Sequence, residues 1–216
     1  MRSLLNKRIQ HLELPDRMSR LPVSDEGYPI PWFVAEVDGK RDFRVMDGEK
    51  LGIAVRLKRC WMCGQPLGKF MTFPIGPMCA VNRNIAEPPS HHGCAEYGAR
   101  ACPFLTQPRM RRNGKDLPED GRWSETGLKR NPGVICLWTT LSYRIHRGPD
   151  RSVLFAIGDP VETEWFCEGR PATRAEIMAS IESGLPILRK MAQDESQDAV
   201  TELTRMVDVA MKLVPA

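Results

Sequence analysis

Apolar and polar residues alternate along PWFVAEVDG (31–39) and again along DFRVMDG (42–48), and each segment closes on an Asp-Gly pair. A period of two is that of a half-buried strand, so the two segments predict a β-hairpin. LGIAVRLKR (51–59) continues the alternation and reads as a further strand running into the first cysteine. VICLWTTLSYRIHR (134–147) and RSVLFAIG (151–158) are rich in β-branched and aromatic residues and flank Gly148-Pro149. They predict a second hairpin, with EWFCEG (164–169) as an added strand. Beyond that the period lengthens. Thr173 and Glu176 have the spacing of a capping box, and Ile177, Ile181, Leu185 and Leu188 step as one face of a helix. Gly184 and Pro186 predict a break, one helix closing at the glycine and the next opening with the proline. A last helix over 196–213 carries Val200, Leu203, Val207, Ala210 and Leu213.

The remaining segments lack a period. Residues 1–29 are polar and mixed, with Pro15, Pro22 and Pro29, and predict a loosely held arm. Residues 103–133 are rich in Pro, Gly and charge and predict a long irregular loop. The expected fold is therefore α+β: a small antiparallel sheet with an embedded metal module and C-terminal helices. Its parts are an arm (1–29), a β-rich domain (30–158, with the metal module at 59–102 and the loop at 103–133) and a helical region (159–216) packed on the same domain.

Composition narrows the class. At 216 residues, 42% hydrophobic and 27% charged, the chain can bury a sizeable core. Its longest apolar runs are only a few residues, too short for a transmembrane helix. Its first residues, MRSLLNKRIQHLELPD, scatter charge where a secretory signal would be apolar. Seven cysteines, an odd number with five between 60 and 102, suit a reducing cytoplasm better than a disulfide framework. Net charge is +4 but uneven: residues 1–158 hold 25 Lys/Arg against 16 Asp/Glu, and residues 159–216 hold 6 against 11. That asymmetry allows a basic face for nucleic acid or an acidic protein partner.

The chemistry concentrates in RCWMCGQPLG (59–68). Cys60-x-x-Cys63 followed by Gly64 is a tight turn that aims two thiolates at one point. A tetrahedral ion needs a second pair, and PPSHHGCAEYGARACPF (88–104) offers it: His91 and Cys94 are three apart at the start of a helix-like run, on one face. The predicted site is zinc held by Cys60, Cys63, His91 and Cys94, with Cys79, Cys102 and His92 as alternative ligands. The intervening residues leave room for a hairpin, with KFMTFPIG as one strand. Knuckle, hairpin and helix-borne second pair resemble a treble-clef zinc finger over about 59–102. Cys136 and Cys167 lie in apolar strand-like contexts and read as packed, inert thiols. A redox dithiol would need a helix after the pair, and Gly64, Pro66 and Gly68 oppose one.

Three sulfurs and an imidazole make a closed site, which argues for a structural ion. The order of the pairs excludes the zinc-deaminase signature, and phosphate-loop, nucleophile-elbow and dinucleotide patterns are absent from the sequence. If the chain is an enzyme, a metal-dependent nuclease or hydrolase is the class to expect, with His92 or His146 as the base. For nucleic acid, the candidate contacts are Arg109, Arg111, Arg112, Lys115 and Trp123, a basic loop with an aromatic able to track phosphates and stack a base.

Two longer runs, GPMCAVNRNIAEPPSHHGCAEYGARACPFL and WFCEGRPATRAEIMASIESGLPIL, resemble a family of hypothetical proteins from bacteriophages and actinobacteria, over roughly 50–190. The resemblance implies a phage or bacterial origin. In that family's pattern the position of His91 is histidine and that of His92 varies, which implies His91 as the ligand. The expected function is that of a zinc-binding, non-enzymatic cytoplasmic protein that contacts nucleic acid or a host protein.

Overall fold

The computed structural model describes residues 4–107, 131, 133–148 and 151–215. The architecture is α+β, as the sequence predicts, with small antiparallel sheets and C-terminal helices. Strands β1 (Val34–Val37) and β2 (Lys40–Met46) form the expected hairpin around Asp38 and Gly39, both at positive φ.

The next segment is a helix, not a strand: α1 spans Gly48–Leu57. Asp47, expected to open a turn, instead caps the helix by accepting from the backbone N–H groups of Glu49 (3.0 Å) and Lys50 (3.1 Å). Leu51 and Ala54 then face the core at helical spacing, with Val55 packed beside them, and Leu57 is left exposed. Leu51, Ile53, Val55 and Leu57 alternate as in a strand, but Leu51, Ala54 and Val55 also share one helical face, and the cap decided between the two periods.

Strand β3 (Met71–Ile75) is followed by a short helix α2 (Pro77–Asn82), a two-residue β4 (Asn84–Ile85) and helix α3 (His92–Ala101). The hairpin expected between the ligand pairs shrinks to one mutual pair of backbone hydrogen bonds, Thr72 with Ser90 (2.9 and 2.8 Å). The main partner of β3 is β5 (Ile135–Thr140), which is followed by β6 (Tyr143–Arg147), β7 (Val153–Ile157), β8 (Pro160–Cys167) and β9 (Arg170–Pro171).

The expected single strand over 134–147 is broken at Leu141-Ser142. β3-β5-β8-β9 form one sheet and β4-β7-β6 another. The chain leaves the first sheet after β5 and returns to it in β8. The corner is tied by Thr140 Oγ1 donating to the Asp159 carbonyl (2.8 Å) and Gly158 N–H donating to the Ser142 carbonyl (3.0 Å). Gly158 is required there, since a Cβ would lie 2.7 Å from the Ser142 carbonyl oxygen.

Helix α4 runs unbroken from Arg174 to Glu195, and α5 spans Gln197–Met211. The capping box of Thr173 and Glu176 forms as predicted. The break expected at Gly184 and Pro186 does not: Pro186 lies inside α4, at a cost of roughly 3 kcal/mol relative to Ala. Gly184 is explained by packing, because a Cβ there would meet Met78 Sδ of α2 at 2.6 Å. The glycine lets α2 approach α4 and is not a helix stop.

The four-stranded sheet has two covered faces. Phe73, Ile75, Cys136, Trp138 and Trp165 belong to the main core with Ile177, Ile181 and Leu185 of α4. On the opposite face Ile135, Leu137 and Phe166 meet Ala95 and Ala99 of α3. The N-terminal segment is not a loosely held arm: Leu5, Ile9, Leu12 and Met18 are buried with Cys60, Cys63, Cys94, Tyr97 and Ala101. Its scattered apolar residues meet the cysteine cluster through a short 3-10 turn (Asp16–Met18) and irregular backbone, which has no sequence period to recognise.

Candidate metal centre

The turn at Cys60–Gly64 is a miniature hairpin. Cys60 N–H donates to the Gln65 carbonyl (2.8 Å), Gly64 N–H to the Cys60 carbonyl (2.8 Å) and Leu67 N–H to the Lys58 carbonyl (2.8 Å). Gly64 sits at φ +73°, and a Cβ there would lie 2.7 Å from the Trp32 ring. Both facts require glycine. Trp61 N–H donates to the Pro89 carbonyl (3.1 Å), which fixes the knuckle against the segment leading into α3.

His91 is the N-cap of α3 and Cys94 lies in its first turn. Cys60, Cys63, His91 and Cys94 converge, their ligand atoms all within 4.8 Å of one another. His91 Nδ1 is 3.4 Å from Cys63 Sγ and 3.9 Å from Cys94 Sγ. The opposite ring nitrogen, Nε2, lies 3.0 Å from the Pro66 carbonyl. A carbonyl can only accept, so Nε2 carries the proton and the Nδ1 lone pair points at the sulfurs. Metal-binding histidines are commonly oriented this way. Cys60 Sγ accepts from the backbone N–H groups of Cys63 (3.5 Å) and His91 (3.4 Å).

The electrostatics follow from this crowding. Hydrogen bonds from the Cys63 and Cys94 thiols, with those backbone donors, hold the Cys60 thiol far below its ordinary range. The Cys60 sulfur in turn pushes Cys63 up, and Cys60 and Cys63 together push Cys94 up. Three adjacent sulfurs cannot all ionise side by side, because their charges repel, unless a cation joins them. The donor set fits a tetrahedral metal ion, and these four residues could hold one.

The other predicted ligands are elsewhere. Cys79 lies in α2 against the main core, its thiol pushed up to about 11 by burial and then by the Glu87 charge. Cys102 caps the far end of α3, about 12 Å along the axis from Cys94, and burial raises it. His92 is two residues from Cys94, about 200° around the helix, and faces away from the sulfurs. Its Nε2 contacts Glu164 Oε1. The side chains that converge are thus those of Cys60, Cys63, His91 and Cys94, and the alternatives Cys79, Cys102 and His92 lie apart from that cluster. Cys136 and Cys167 are buried, and desolvation pushes both thiols up, Cys167 to about 11.

His146 lies on exposed β6, with Nε2 2.7 Å from Asn84 Oδ1. Arg109, Arg111, Arg112, Lys115 and Trp123 lie outside the described residues. Sequence reasoning missed a second convergence: His92, Glu162 and Glu164 also bring their ligand atoms within 4.8 Å of one another. The alternation in PVETEWFC (160–167) was its only signal, since residues 162 and 164 of a strand share a face.

No family model, curated protein or solved structure matches the chain. Among the described residues, no helix is long and apolar enough to cross a membrane.

Proposed function

We propose that the chain is a zinc-stabilised binding protein of phage or bacterial origin, without a reaction of its own, that works in the cytoplasm and contacts nucleic acid or a host protein through a basic face. One observation carries the zinc: the Cys60–Cys63–His91–Cys94 cluster. A tetrahedral zinc ion with ordinary bond lengths sets its sulfur and nitrogen ligands about 3.6 Å apart, between the 3.4 and 3.9 Å separations found here. Three sulfurs and one imidazole fill four positions and leave none for substrate, the mark of a structural ion. Zinc would join the knuckle to α3, so its binding energy becomes folding energy.

Among the described residues a basic surface is offered by β6, an edge strand on which Arg144, His146 and Arg147 are exposed. The loop arginines Arg111 and Arg112 extend the same character in sequence. Native mass spectrometry against the denatured mass tests the ion; one zinc per chain is expected, and a metal-free chain with a full thermal transition overturns the reading. For the partner, fluorescence anisotropy with single-stranded and duplex DNA and RNA is expected to show salt-dependent binding. That binding should weaken in Arg111→Ala/Arg112→Ala and Arg144→Ala/Arg147→Ala. No binding to any nucleic acid would leave a protein partner.

A second reading, a metal-dependent nuclease or hydrolase, is favoured only by the contact of His92 with Glu164 and the nearness of Glu162. Nuclease activity that vanishes in His92→Ala with zinc retained would replace the binding reading.

A further inference from the structure

Helix α3 has two working sides. Cys94 and Tyr97 lie in the cluster with the knuckle and the N-terminal segment, whereas Ala95 and Ala99 pack on the four-stranded sheet. His92 stands three residues before Ala95 and seven before Ala99, on the sheet-facing side. Pairing in the sheet sets Thr139 opposite Glu162 and Leu137 opposite Glu164. Both glutamates thus project from the face that α3 covers, just where its first turn ends the apolar contact. The seam of small residues brings the helix close enough for His92 to reach Glu164.

We infer that His92, Glu162 and Glu164 form a second cation site, for an exchangeable first-row divalent metal ion, distinct from the Cys60–Cys63–His91–Cys94 cluster. The single contact of His92 with Glu164 would be an ordinary ion pair. Glu162 changes that, because it sets a second carboxylate within 4.8 Å of both partners. Two carboxylates at that separation repel, and a divalent ion bound by both removes the repulsion. One imidazole and two carboxylates suit Mn²⁺, Fe²⁺ or Zn²⁺ better than the all-oxygen shell of Mg²⁺ or Ca²⁺.

The site is open. The side chains of His92 and Glu164 are 38% and 39% exposed, and a surface pocket of about 560 Å³ lined by Phe70, His92, Thr139, Val161 and Glu162 adjoins them. Three protein ligands leave positions for water or an oxygen-donor anion on that side. This second site requires nothing of the identity of the ion in the thiolate cluster, so the two can fail separately.

The test is a Mn²⁺ titration of the full chain as purified, at physiological salt, followed by electron paramagnetic resonance of free Mn²⁺, with zinc content measured on the same samples. Mn²⁺ competes poorly for thiolates, so it reports the second site alone. One saturable Mn²⁺ per chain is expected. Affinity should fall about tenfold or more in Glu162→Gln and in His92→Gln, with zinc content and circular dichroism unchanged. Glu162→Gln alters only an exposed side chain, so its folding is secure and that variant is the decisive one. No saturable Mn²⁺ binding, or equal affinity in Glu162→Gln, overturns the second site whatever the zinc content. A chain without zinc that still binds Mn²⁺ overturns the zinc reading and leaves the second site standing.

Discussion

His91 and His92 are neighbours in sequence and serve opposite sides of one helix. On the His91 side the surroundings are sulfur and apolar: Cys60 and Cys94 are almost fully buried, and Leu5, Ile9, Leu12 and Met18 close over them. The ring is pinned at Nε2 by a backbone carbonyl. On the His92 side the partners are carboxylates on a strand, partly open to solvent, beside a surface pocket. A buried ligand set with a fixed tautomer suits an ion that never leaves, and an open set of hard oxygens suits one that exchanges. The helical advance of 100° per residue produces the division.

Chelation at the thiolate cluster, or Cys60→Ser, is the heaviest test of this contrast. Loss of the ion should unfold residues 59–102 and release the N-terminal segment. Apparent binding energies of about 10–16 kcal/mol for structural zinc exceed the stability of most domains. Thermal melting with and without chelator measures it, and an unchanged transition after complete metal removal would mean the cluster is mere packing.

Gly64→Ala comes next. The positive φ and the Trp32 ring both oppose a Cβ, so a loss of about 2–4 kcal/mol is expected from strain and overpacking together, with weakened metal retention. Urea denaturation and metal analysis report the two effects.

Ala95→Leu attacks the other side of α3. Overpacking against Ile135, Leu137 and Phe166 should cost about 1–3 kcal/mol while zinc stoichiometry holds. If zinc is lost as well, the two sides are not separable.

The pair His91→Ala and His92→Ala sharpens the comparison directly. The first should weaken zinc retention strongly against a competing chelator. The second should leave it intact and shift stability by at most about 1 kcal/mol, as for a partly exposed ion pair.

An equally small effect lies far from both sites. Thr173→Ala should cost about 1 kcal/mol by removing the cap of α4. Glu176, in the same box, is held well below the usual carboxylate range by hydrogen bonds from Arg170 and then from the Thr173 backbone. A carboxylate depressed in the folded state stabilises above its ordinary range and loses that contribution as pH falls through the depressed value. The difference between wild type and Glu176→Gln should therefore shrink on acidification, which melting at several pH values would show.

Much of this was legible in the chain. The convergence of Cys60, Cys63, His91 and Cys94 follows from spacing, because a knuckle and a helix turn are local geometries that sequence dictates. The β1–β2 hairpin and the capping box of α4 were equally local. Three expectations failed where sequence patterns were ambiguous. The run from Leu51 fits both periods, Gly184 reads as a stop until Met78 is seen against it, and residues 134–147 read as one strand until the corner at Ser142 divides them.

What the sequence determined by itself is what depends on residues close along the chain: the Cys60–Cys63 and His91–Cys94 pairs, the caps and the turn at Gly64. The tertiary structure decided what depends on residues far apart. It sent β3 to pair with β5, folded the N-terminal segment over the cysteines, and set His92 against Glu164, 72 residues away. The physical reason is that a local period fixes which face a residue occupies, while the partner across that face is chosen by packing of the whole chain.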